Sequence, residues 1–229
     1  MLREHPILLA ILTGFGSGFF VSIPVGPVNL SIVNEGARRG FKWAALIGAG
    51  ATLMEVIYCL IAFASLGSFF WNDYVKAAMK LASFIFLLFL GIKFLLTKSV
   101  KVTVPLGPAA DKFEQEVQVR LHPRSAFMTG FVRVLGNVGV LAFWLGCGAS
   151  FISHDLVSND WSGKLICVAG VALGTGLWFT ALSVAAARGH GKFSERTLLR
   201  MEHFSGVCLL LLACVYGYLI IKQLALHRH

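Results

Sequence analysis

Glu55, Arg133 and Asn29 are polar side chains set inside long apolar runs, and Asn29 closes the stretch "SIPVGPVN", in which Pro24 and Pro27 bracket Gly26. Each type brings its own chemistry to apolar surroundings. A carboxylate takes a proton or faces a cation. A guanidinium keeps its proton and therefore needs an anion or water. An amide offers both donors and acceptors. The prolines add a backbone version of the same problem. Pro27 has no N–H and its ring clashes with the Ile23 carbonyl, and Pro24 does the same at Phe20, so carbonyls are left without partners. A helix restarting at Pro27 would present the unpaired N–H groups of its first turn, from Val28 onward, and these with the helix dipole favour an anion. Proline suits that first position because its missing N–H would have had no partner there. Pro24, Gly26, Pro27, Asn29, Glu55 and Arg133 are thus candidate contacts for a small molecule carrying a carboxylate or similar anion.

The elements that must position these residues are membrane helices. Of the 229 residues 57% are hydrophobic and 12% aromatic, with a mean hydropathy of +0.76, against an apolar share of about 45–50% in soluble domains. Six apolar segments, roughly 7–34, 43–70, 77–97, 126–152, 163–187 and 204–221, have the ~20 residues needed to cross a bilayer as helix. None shows the alternation of a barrel strand, and a spanning backbone must satisfy its own polar groups, so the expectation is all-helical. Glu55 lies ~18 Å into the second segment at ~1.5 Å per residue, close to the midplane. A charge there costs about 3 kcal/mol or more, so the carboxyl is protonated, paired or wetted. Three readings stay open: a proton-coupling or substrate-amine site, a structural partner for Arg133, or a snorkelling side chain. Arg133, ~12 Å into the fourth segment, can pair with Glu55, hold a substrate carboxylate, or reach the inner headgroups. The proline break either lines a wet cavity or is a plain kink whose carbonyls are met by Ser22 or water.

Net charge +9 reads as topology rather than nucleic-acid binding. With the N-terminus outside, twelve Lys and Arg fall in inner loops, among them Arg38, Arg39, Lys42, Lys112 and Arg196, and six fall outside. That bias favours both termini outside a cytoplasmic membrane. The first apolar run is too long for the core of a secretion signal and lacks an A-x-A cleavage site. Cys59, Cys147, Cys167, Cys208 and Cys214 lie in apolar segments without a C-x-x-C pair and read as small buried hydrophobes. The seven histidines, His154 and His203 among them, fall in loops or at helix ends and read as solvated, so neither metal nor cofactor is expected. "GHGK" at 189–192 lacks the spacing of a phosphate-binding loop, and no enzyme motif is present. Trp71, Trp144 and Trp161 fit an aromatic belt, while Trp178 is deeper and faces lipid or substrate. The pairs Gly14/Gly18 and Gly170/Gly174 suit close helix packing; Gly48, Gly50, Thr52 and Gly176 are candidates to line a path. Lys93, near the inner end of its segment, reads as snorkelling.

An internal repeat organises the chain. "TGFGSGFFVSIPVGPVNLSI" near the start is similar to "TGFVRVLGNVGVLAFW" at 129–144, and 84–91 to 207–214. Residues 1–97 and 126–229 then form two three-helix halves of opposite orientation, an inverted 3+3 repeat with a broken first helix. They are joined by a cytosolic linker, 98–125, in which Phe113, Val117 and Leu121 share one face of a short surface helix. Gly26, Pro27, Asn29, Gly36, Gly40 and Glu55 together resemble the lysine exporter (LysE/RhtB) family, with its G-P-x-N break, G-x-x-x-G turn and acidic residue midway along the second helix. The resemblance implies a secondary transporter that exports amino acids or related small metabolites, driven by an ion gradient. Members carry Asn-Pro in the second half where this chain has Asn137-Val138; the correspondence adds Asn137 to the candidate contacts, with Gly136 and Gly139 as an alternative source of a break. Arg133 also departs from the family pattern. A membrane thiol- or metal-handling protein and a non-transporting scaffold are the other function classes. A small-molecule substrate and the lipid bilayer are the implied partners, and a homo-oligomer is possible.

Overall fold

The computed structural model describes residues 5–66, 73–97, 125–189 and 195–226. The proposed linker helix at 113–121, Trp71 and much of the basic inner-loop set lie outside them. Every regular element among the described residues is an α-helix: α1 Pro6–Ser22, α2 Pro27–Arg39, α3 Phe41–Leu66, α4 Asp73–Leu95, α5 Ala126–Leu135, α6 Val138–Ser153, α7 Trp161–Arg188 and α8 Glu195–Leu226. The order is the same twice over: two short helices across a break, then a long helix, then another.

The expected first segment is two helices, α1 and α2, bent by 72° across residues 23–26, and the second of them runs on to Arg39. The fourth segment is also two helices, α5 and α6, bent by 66° at Gly136–Asn137, although no proline stands there. Helices α3, α7 and α8 are long and apolar enough to cross a membrane, and each bent pair qualifies as one further span by length and composition, giving up to five. Within α4 the apolar part is Phe84–Leu95.

Small residues set the packing. Gly14 and Gly18 of α1 lie against the Cys167 and Val171 backbone of α7, while Gly170 and Gly174 of α7 lie against Ile11 and Phe15. The same device joins α3 to α5: Gly50 meets the Phe127 carbonyl and Gly130 the Ile47 carbonyl. Gly50 is therefore a packing residue, and the expectation that it lines a path is wrong. Gly48, Thr52 and Gly176 do line a cavity between α3 and α7, with Leu53 and Val56, separate from the one beside Glu55. Gly40, at φ 83°, turns the chain from α2 into α3 and donates its N–H to the Gly36 carbonyl at 3.0 Å; that left-handed backbone is why a glycine stands there. Asp160 caps α7, accepting from the Gly163 N–H at 3.1 Å and from Ser162. Together with Ser158 these bonds hold its carboxyl well below the usual carboxylate range.

Further readings from the sequence are corrected. Cys214 is exposed rather than buried, and His203 lies within α8, half-buried, with Nε2 2.8 Å from the Thr97 carbonyl. Trp144 is not in an aromatic belt: it is fully buried at 0% exposure, because α6 turns that face inward against α3 and α4. His154 is not solvated. It is buried, with Nδ1 3.0 Å from the Ser150 carbonyl, since the chain folds back over it after α6. Trp161 is exposed, as a belt residue would be.

Candidate functional site

The two breaks meet. A cavity of about 120 Å³ is lined by Pro24, Gly26, Pro27 and Asn29 from the first break, Asn137 and Gly139 from the second, and Glu55 from α3. Six of the seven candidate residues thus share one space. Its remaining wall comes from apolar residues of α1, α4, α5, α6, α7 and α8, including Leu90, Phe143, Phe179 and Leu209.

At the first break, Asn29 solves the carbonyl problem from inside the structure. Its Nδ2 donates to the carbonyls of Ser22 at 2.8 Å and Pro24 at 2.6 Å, and lies 3.4 Å from that of Ile23. Ser22 does not face the freed carbonyls; its hydroxyl bonds back to the Gly18 carbonyl at 2.8 Å. The Val25 N–H goes to the Glu202 carboxylate, 2.8 Å away on α8. Helix α2 then begins with Pro27 as its first residue and Gly26 as an N-cap that offers no side chain. The first intrahelical bond is Leu30 N–H to the Gly26 carbonyl, 3.1 Å. The N–H groups of Val28 and Asn29 have no hydrogen-bond partner among the described residues, and both residues line the cavity.

The second break is closed in a different way. Asn137 is the N-cap of α6, and its Oδ1 accepts from Gly139 N–H at 3.0 Å and Val140 N–H at 3.3 Å. An asparagine that satisfies its own helix start needs no proline after it. On the other side, the Leu135 carbonyl at the end of α5 accepts from the Tyr58 hydroxyl at 2.6 Å.

Glu55 is 4% exposed, and its Oε2 accepts from Trp144 Nε1. No ion pair joins it to Arg133 among the described residues. Arg133 Nη1 donates instead to the Pro27 carbonyl at 3.2 Å, and the guanidinium lines a separate polar cavity with Ser31, Glu35, Arg38, Arg39 and Thr129. Arg133 is therefore attached to the first break from behind, at the carbonyl of the residue whose far side faces the central cavity. Glu35 and Arg39 pair within α2 at 3.2 Å.

Three contacts were not read from the sequence. Trp144 holds Glu55, Glu202 holds Val25, and Trp178 Nε1 lies 3.4 Å from Asn29 Oδ1 while its ring packs edge-on to Phe19. Trp178 is marked in the sequence by its depth alone, and Glu202 only as a carboxylate just ahead of an apolar run; α8 starts at Glu195 and so carries it into the helix. Among the described residues no three His, Cys, Asp or Glu side chains gather as metal ligands.

Helices of spanning length, two bent pairs whose breaks meet on one cavity, and a buried carboxylate beside it make this a multi-pass membrane protein of translocator build. The sequence matches the family described as LysE type translocator over residues 19–220, and the chain belongs to that family, whose members move solutes and are not enzymes. It is 28% identical over 207 residues to "Putative amino acid efflux protein YcgF" of Bacillus subtilis (strain 168), covering 90% of this chain and 94% of that one. No solved structure matches it.

Proposed function

We propose that the chain is a secondary exporter of an amino acid or close analogue, proton-coupled through Glu55, with six spans arranged as an inverted repeat of residues 1–97 and 126–229. The repeated order of elements supports the repeat, with α4 as the sixth span, and the charge bias supports both termini outside the cytoplasmic membrane with the linker inside. The single observation that carries the function is the pairing of an open helix start at Pro27 with Glu55 on one cavity. The dipole and free N–H groups of α2 suit a carboxylate; Glu55 suits an ammonium. Pro24, Gly26 and Pro27 shape the anion end, Asn29 holds the break open, and Asn137 borders the cavity from the other half. Arg133 supports the anion end through the Pro27 carbonyl.

Coupling follows from one carboxylate serving two cations. Ionised Glu55 pairs with the substrate ammonium, whereas protonated Glu55 has no charge to offer it, so an external proton displaces an outgoing amino acid. Purified protein in liposomes should exchange a labelled amino acid across the bilayer, and an imposed gradient, acid on the side of release, should speed efflux. The decarboxylated amine and the N-acetylated acid should each fail to exchange, since each lacks one of the two charged ends. Exchange of the amine as fast as the amino acid would remove the carboxylate site from the account.

A further inference from the structure

The walls of the central cavity bear on the side chain of the molecule it takes. Beyond the carboxylate and ammonium ends, the lining consists of Val25, Leu90, Phe94, Val140, Phe143 and Leu209, with other apolar residues between them. Glu55 is the one ionisable side chain among the described lining residues. Most of the neutral polar groups are already committed. The Ser22 hydroxyl bonds to Gly18, the Asn29 amide nitrogen to the break carbonyls with its oxygen toward Trp178, and the Asn137 oxygen to its own helix start.

Counting charges excludes two classes of amino acid. A basic amino acid brings two cationic groups to a single carboxylate, so one of them is stranded against apolar wall. An acidic amino acid brings a second carboxylate, and the second helix start, that of α6, is closed by Asn137. An unpaired charge in apolar surroundings is strongly disfavoured. The space between the walls, about 120 Å³, is of the order of the ~150 Å³ apolar cavity that accommodates benzene, room for a few side-chain carbons.

Resting on the amino-acid reading above, we infer that the translocated molecule is a neutral amino acid with a short aliphatic side chain, in the size range of alanine to valine. The cavity selects against lysine by lack of a second carboxylate and against glutamate by lack of a second open helix start.

The test uses the full-length protein in liposomes, with labelled valine, lysine and glutamate exchanged in parallel. Valine should exchange, and lysine and glutamate should each be slower by at least about tenfold, the order of discrimination a single mismatched contact supplies. Lysine or glutamate exchanging as fast as valine would overturn the side-chain assignment and leave the amino-acid reading standing. Failure of all three would overturn both. Val140→Asp places a second carboxylate on the wall and should shift the preference toward lysine by about tenfold or more; an active variant that still favours valine to the original degree contradicts the charge-counting argument. Should that variant not fold, the unmodified protein's own panel decides.

Discussion

The two helix breaks solve one problem by opposite means. At the first, residues 23–26 separate the helices, the Ser22 and Pro24 carbonyls are satisfied by Asn29 from within the following helix, and the N–H groups of Val28 and Asn29, two residues that line the cavity, have no partner among the described residues. At the second, Asn137 turns its oxygen onto the N–H groups of its own helix and Tyr58 takes the Leu135 carbonyl, so both ends are closed. The first break is an unfilled donor site, and the second is a finished cap. Two halves of similar plan therefore differ in whether they leave a helix start open, and under the proposed function that asymmetry gives the cavity one anion end where equal breaks would give two.

Removing the cation partner should have the largest effect. Glu55→Gln keeps the Trp144 indole supplied with an acceptor, so the protein should fold, yet gradient-driven efflux and exchange should both fall to background in proteoliposomes. Because Arg133 bonds to Pro27 rather than to Glu55, adding Arg133→Met should give additive losses; mutual rescue of expression would mean that the two charges pair after all.

Asn29→Leu comes next. It strips the Ser22 and Pro24 carbonyls of their donor in a buried setting, which costs about 1–3 kcal/mol for each buried group left unsatisfied. Thermal stability in detergent should drop together with transport. Asn137→Ala should do less. Loss of an asparagine N-cap costs about 0.5–2 kcal/mol, and the freed Gly139 and Val140 N–H groups would open a second anion site. The comparison sharpens there: this variant should weaken the exclusion of glutamate in exchange assays while the wild-type substrate still moves. An unchanged preference would show that the asymmetry between the breaks has no bearing on selection.

The first break and the position of Glu55 along its helix were legible in the sequence, but the direction in which side chains face was not. Pro24, Pro27 and Gly26 announce a break wherever they stand, because the missing N–H groups are a local matter, and the spacing of Glu55 within its segment fixes its level. Which way Glu55 faces depends on the turn of α3, and that helix is apolar on every side, so no polar stripe marks the inner face. Trp144 was misplaced for the same reason: nearness to a segment end suggested a belt, whereas its orientation around α6 carries it 89 positions away in sequence to Glu55. Arg133 lines a cavity other than the one that Glu55 lines, and bonds the Pro27 carbonyl there. The second break lay beyond a proline-based rule, since an asparagine can end one helix and start the next without any proline. Glu202 was hidden by an apolar segment read as starting too late.

The central claim is that a substrate carboxylate sits at the open start of α2. The most direct measurement is a structure of the full chain in lipid with a transported amino acid bound. Carboxylate oxygens should lie ~3 Å from the N–H groups of Val28 and Asn29, with the ammonium toward Glu55. A carboxylate found instead against Arg133 in the outlying polar cavity, or at the Asn137 cap, would contradict that claim.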